Sequence, residues 1–126
     1  MLNIKVDEDC GNAPKKILLR DFEIAFAQNN VAHLLELVVE DIHWNRVGNK
    51  VLEGIEAIAA EMAQRQSPKA TELTLTNIIT HGKTGAVNGT LQFENGSSYA
   101  FCNVYSFSSN AKNAKIKAIT SYLIAL

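Results

Sequence analysis

Apolar positions recur at helical spacing through the first half of the chain and alternate through the second. Leu18, Phe22, Ala25, Phe26 and Asn29 form one stripe of period 3.6, and Pro14 suits its first turn, with Asn12 as a candidate cap. Asn29-Asn30 breaks that helix and can cap a second, whose stripe is Val31, Leu34, Leu35 and Val38. A strand is predicted over Ile42–Val47. Gly48-Asn49 reads as its hairpin turn and Lys50–Glu53 as a short return strand. Gly54 opens a third helix with Ile55, Ile58, Ala59 and Met62 on one face, and Ser67-Pro68 ends it. Residues 1–11 read as a short acidic lead-in.

From Glu72 onward the period is two. Strands are predicted over Glu72–Thr80, Ala86–Glu94, Ser98–Phe107 and Ala114–Ile124, and Asn95-Gly96 is the strongest hairpin signal between them. Three helices ahead of an antiparallel meander predict an α+β fold. Strand 98–107 sets Tyr99, Phe101, Asn103, Tyr105 and Phe107 against Ala100, Cys102, Val104 and Ser106. A sheet covered on one side carries polar residues on the other. Here the second face is half apolar, which predicts a homodimer through the sheet.

The 126 residues fit one domain, 1–126, and 47% hydrophobic content supports a core without staples. A net charge of −1 argues against nucleic acid and anionic membrane surfaces as partners. Cys10 and Cys102 make neither a disulfide framework nor a CxxC motif, and Cys102 reads as a small buried hydrophobe. No apolar run suggests a signal peptide or a membrane span, so a reducing cytoplasmic setting is expected. His33, His43 and His81 lack metal spacing, no Gly-rich loop precedes a helix, and no cofactor is expected.

The segment His43–Gly54 carries the most informative chemistry. Period two puts Trp44 and Arg46 on one face. A cation facing an apolar cavity needs an anion, either an internal one such as Glu53 or a ligand, and a guanidinium suits a carboxylate. The plainer reading is an arginine at a rim, reaching water. Asn88, Asn103, Tyr105 and Tyr122 are polar groups among apolar neighbours, and each needs a hydrogen-bond partner if buried.

Asp41-Ile42-His43-Trp44 leading to Gly54-Ile55-Glu56-Ala57-Ile58, with Phe101–Phe107 leading to Ile116–Tyr122, resembles the nuclear transport factor 2-like superfamily. That superfamily includes ketosteroid isomerase and the SnoaL-like polyketide cyclases, and the resemblance runs from Pro14 to Leu126. It implies a cone-shaped α+β barrel of cystatin-like type, with three helices on a strongly curved, mostly antiparallel sheet. It also implies a pocket faced by Ile42, Trp44, Arg46, Phe101, Asn103 and Tyr105. Ketosteroid isomerase needs a carboxylate base, a tyrosine and a protonated acid. The matching positions hold Arg46, Phe22 and Asn103, which argues against that reaction.

The expected function is binding of a small apolar ligand whose carboxylate or carbonyl meets Arg46. Trp44, Arg46, Asn103, Tyr105, Phe22 and Tyr122 are the expected contacts. Two alternatives stand beside it. One is an isomerase, cyclase or hydrolase using the same pocket, for which the candidate bases Asp41 and His43 fall out of phase with the pocket face. The other is a protein-interaction module using the outer sheet face.

Overall fold

A computed structural model describes residues 2–7, 11, 13–65 and 69–126. In chain order the elements are β1 (Asn3–Val6), α1 (Pro14–Ala27), α2 (Val31–Glu36), β2 (Val38–Arg46), β3 (Lys50–Glu53), α3 (Gly54–Ala63), β4 (Ala70–His81), β5 (Thr84–Phe93), β6 (Ser98–Phe107) and β7 (Ile116–Ala125). Seven strands form one sheet in the order β1-β4-β5-β6-β7-β2-β3, and the helices cover one side of it. Only β1–β4 and β2–β7 pair in parallel, so the α+β expectation holds.

Local chemistry accounts for most boundaries. Pro14 occupies the first turn of α1, whose N-cap position is Ala13 without a side-chain cap. Asn12 lies outside the described residues. Asn29 takes φ 55°, and the Asn30 side chain accepts from the His33 N–H at 3.3 Å to start α2. α2 stops at Glu36, so Val38 opens β2 instead of closing the helical stripe; it is buried in either role. α3 ends at Ala63, ahead of Ser67-Pro68, which lie outside the described residues.

The first residues correct the lead-in expectation, because Asn3–Val6 pair with Glu72–Leu75 of β4. All four are exposed and bind through backbone bonds and a Lys5–Glu72 ion pair at 2.8 Å. Such a strand leaves no burial pattern to read.

The curvature has a specific origin. β4 gains one residue, Thr76, between Leu75 and Asn77 in its register with β5. Opposite that bulge sits Gly89, where a Cβ would lie 1.9 Å from the Thr74 carbonyl oxygen. The strands therefore approach at a point where only glycine fits, and the sheet wraps around α1. Leu19, Phe22 and Ala25 of α1, Ile58 and Met62 of α3, and Leu73, Leu75, Val87, Tyr105, Phe107 and Ile119 of the sheet fill the concave side. Each fully buried Leu, Ile or Phe is worth roughly 1.5–3 kcal/mol.

Candidate functional site

Cross-strand register builds the floor of the concave side. One row runs Arg46–Ser121–Asn103–Val87–Ile78, and the next runs Trp44–Ile119–Tyr105–Gly85. α1 lies over these rows, and between them is a cavity of about 100 Å³. Phe22, Glu23, Phe26 and Ala27 enter from α1, Trp44 and Arg46 from β2, Phe101 and Asn103 from β6, and Ser121 from β7. Val47, Tyr122 and Leu123, all about half exposed, mark where it opens to solvent. The cavity is small beside the roughly 300–1,000 Å³ of drug-sized sites.

Three of its walls are aromatic. Phe22 and Phe26 each stand 5.6 Å from Trp44, and Phe22 meets Tyr105 edge-on at 5.7 Å. The Trp44 indole donates to Ser121 Oγ at 2.8 Å.

At the floor is a group the sequence reading passed over. Glu23 is 3% exposed and is the one carboxylate among the described cavity residues. The Asn103 amide donates to its Oε1 at 2.7 Å, and the Tyr105 hydroxyl donates to the same oxygen. Oε2 takes no hydrogen bond among the described residues. Among the described residues no fully buried side-chain oxygen lacks a partner, so Oε2, which takes no such bond, keeps some exposed surface, and Glu23 lines the cavity. Burial raises the Glu23 pKa from 4.5 to about 7, against the opposing pull of the Tyr105 and Asn103 bonds. Burial, and then the neighbouring carboxylate, push Tyr105 well above its ordinary value, so it stays a donor. The result is a carboxyl that gains and loses a proton near neutrality, with one oxygen anchored and the other facing the cavity.

The sequence does contain a signal for Glu23. It is a lone acid in Phe22-Glu23-Ile24-Ala25-Phe26-Ala27, and its helical neighbours at i−4 and i+4, Leu19 and Ala27, are both buried. The stripe read from Leu18 and Phe22 was one residue too narrow.

Other expected residues fall as follows. Trp44, Arg46, Asn103 and Phe22 line the cavity together, and Tyr105 lies beneath it, holding Glu23. Tyr122 pairs with Cys102 and so belongs to the outer face; Ser121 takes the inward position, and Tyr122 reaches only the rim. Cys102 is a half-buried free thiol on that outer face, not a core residue, and Cys10 lies outside the described residues. Asn88 is also outward, accepting from Asn77 at 2.9 Å.

Arg46 pairs with Glu61 of α3 at 3.1 Å, not with Glu53. The β2–β3 register sets Glu53 opposite His43 on the outward parity, and those two bond at 2.6 Å. Glu61 also accepts from Lys50 at 3.1 Å; that bond, with the charges of Lys50 and Arg46, holds its pKa below the usual value. Asp41 and His43 are exposed and reach no cavity atom. Among the described residues no group of three or more His, Cys, Asp or Glu is placed to hold a metal, and no helix is long and apolar enough to cross a membrane.

Known proteins can be set beside this geometry. The sequence model of the SnoaL-like domain family matches residues 19–117. No curated protein sequence matches the chain. Among solved structures, the chain is similar to an NTF2-like protein of unknown function from Cytophaga hutchinsonii, with 23% identity and a TM-score of 0.61 over 86% of this chain and 97% of that one. It is similar to a putative ketosteroid isomerase from Kribbella flavida, at 14% identity and a TM-score of 0.71 over 87% and 77%. An LEH-like epoxide hydrolase of M. tuberculosis aligns at 15% identity and a TM-score of 0.68 over 85% and 80%. At these identities the likeness is one of fold.

Proposed function

The chain belongs to the SnoaL-like domain family, and from that premise we propose that it is an enzyme that moves a proton on a small, mostly apolar substrate, with Glu23 as acid and base. One observation carries this reading. The Glu23 carboxyl is buried at the floor of an apolar cavity, anchored through Oε1 by Tyr105 and Asn103, with no hydrogen bond at Oε2 among the described residues.

The chemistry follows from the protonation state. With a pKa of about 7, Glu23 is near half ionised at neutral pH, which is where a general acid–base group works best. As a carboxylate it takes a proton through Oε2 from a carbon acid or from water; as an acid it returns it. Asn103 and Tyr105 hold the carboxyl in place throughout. Isomerase, epoxide hydrolase and cyclase, the reaction names borne by neighbours of this fold, all describe reactions that such a proton serves. Glu23 supplies from α1 the base that Arg46 cannot be. The expected bases Asp41 and His43 play no part.

The test is turnover of small neutral probes, by deuterium exchange from solvent into cyclohexenone and by hydrolysis of styrene oxide. Wild type should act on one of them with kcat/KM inflecting near pH 7, and Glu23→Gln should lose about 100-fold or more. Equal turnover by wild type and Glu23→Gln would sink the reading.

The outer face of β4–β7 supports a second copy as partner. Four cross-strand rows, from Thr74–Thr90–Ala100–Ile124 to His81–Thr84–Ser106–Ala118, carry no Lys, Arg, Asp or Glu. Ile79 and Ile124 stand 61% and 64% exposed there. A half-apolar face without acidic residues, lysine or arginine meets its own copy without desolvating an ion of those types. Sedimentation should give a dimer for wild type and a monomer for Val104→Glu; a monomeric wild type at about 50 µM would exclude the interface.

A further inference from the structure

The cavity holds a donor for which acid–base chemistry at Glu23 has no use. Alternation along β7 turns Ile119, Ser121 and Leu123 to the same side of the sheet. Ile119 is buried at the floor and Leu123 is exposed at the mouth, so half-buried Ser121 stands between them on the cavity wall.

The Trp44 indole N–H donates to Ser121 Oγ at 2.8 Å, and Phe22 and Phe26 pack on that indole at 5.6 Å each. A serine hydroxyl carries one proton and two lone pairs. Trp44 takes up a lone pair and leaves the proton, which has no acceptor among the described residues. A hydroxyl that already accepts a bond is the stronger donor for it. Its cross-strand neighbours do not use that proton. Arg46, opposite in β2, has only donors and turns to Glu61 at 3.1 Å. Asn103, opposite in β6, gives its amide N–H to Glu23 Oε1 at 2.7 Å, and no bond joins it to Ser121.

We propose that Ser121 donates its hydroxyl proton to a carbonyl oxygen of the bound molecule, which makes the ligand class of this cavity a small, neutral, apolar ketone or enone. A carbonyl oxygen only accepts, which matches a wall group left with a proton to give. An alcohol or amine brings protons of its own, for which Trp44 has already occupied Ser121. A carboxylate here would face the Glu23 carboxyl across one residue, Asn103. The rest of the molecule then lies against Phe22, Phe26 and Phe101. The inference deepens the cavity reading above and rests on it for the place of the apolar body, but it needs no proton transfer by Glu23.

The test is NMR titration of Ser121→Thr and Ser121→Val with 2-cyclohexenone and with cyclohexene, a ring without the oxygen. Threonine and valine share a shape and suit a strand, and they differ in the hydroxyl. Ser121→Thr should bind the enone about as wild type does, and Ser121→Val about tenfold more weakly. The two variants should bind cyclohexene alike, which reports an intact cavity. The infrared C=O stretch of the bound enone should lie lower in wild type and Ser121→Thr than in Ser121→Val. If Ser121→Val does not fold, Ser121→Ala against wild type takes its place. A wild type without turnover that keeps these differences leaves Ser121 in its role and sinks only the catalytic reading. Equal enone affinity with and without the hydroxyl, an unshifted C=O stretch, or no saturable binding of the enone by wild type overturns the proposal.

Discussion

Replacing Glu23 with glutamine should stabilise the protein, and only at the pH where the carboxyl is forced to ionise. Glutamine keeps the shape and offers a carbonyl oxygen to Tyr105 and Asn103 in place of Oε1. It has no proton to lose. In the folded chain Glu23 ionises at about 7, against 4.5 for the ordinary group. Between those values the folded state binds a proton that the unfolded state has released, so stability falls as pH rises. It is fully present below 4.5 and lost through about 7. At about 1.4 kcal/mol per pH unit, the interval amounts to about 3 kcal/mol above neutrality. Urea unfolding of both proteins from pH 4 to 8.5 isolates this group, because other titrations cancel in the difference. The two should agree within about 0.5 kcal/mol at pH 4, with the variant ahead by about 3 kcal/mol at pH 8.5. A difference that stays constant with pH, or a variant that is weaker at pH 8.5, would refute the reasoning.

Two further outcomes follow from named contacts. Tyr105→Phe removes a donor to the Glu23 carboxylate, so the carboxyl should titrate higher still and any pH–rate inflection should move up with it. Unfolding should also show a loss of about 1–2 kcal/mol for that bond. Gly89→Ala places a Cβ 1.9 Å from the Thr74 carbonyl oxygen at the sheet's bend. It should destabilise by about 3 kcal/mol or more, read as a lowered urea midpoint, whereas Gly96→Ala, which has open space around it but φ 89°, should act through backbone strain alone and lose about 1 kcal/mol.

Where one element decided its own structure, the sequence was readable. Period two and period 3.6 separate the strands from the helices, Asn30 caps α2, and β3 and β6 occupy the ranges their flanking turns predict. Alternation alone puts Trp44 and Arg46 on one face; that the face is inward was implied by the family resemblance, and both residues line the cavity. What stayed hidden depends on distant partners. β1 is wholly exposed and exists because β4 offers an edge. β2 meets β7 in parallel across most of the chain, a pairing that no local pattern encodes. The partner of Arg46 comes from the packing of α3 on β2, which brings Glu61 and not the nearer Glu53. Glu23 was missed because an acid on a helix ordinarily faces water. Here the bend of the sheet brings Asn103 and Tyr105 from 80 and 82 residues away to meet it.

Direct titration of the Glu23 carboxyl is the sharpest test of the acid–base account. Carbon-13 NMR of glutamate-labelled protein, with Glu23→Gln to identify the resonance, follows its δ-carboxyl shift against pH. The account predicts an inflection near 7. An inflection at the ordinary value of 4.5 would contradict it, since the carboxyl would then be a solvated anion and not the buried proton carrier of this cavity.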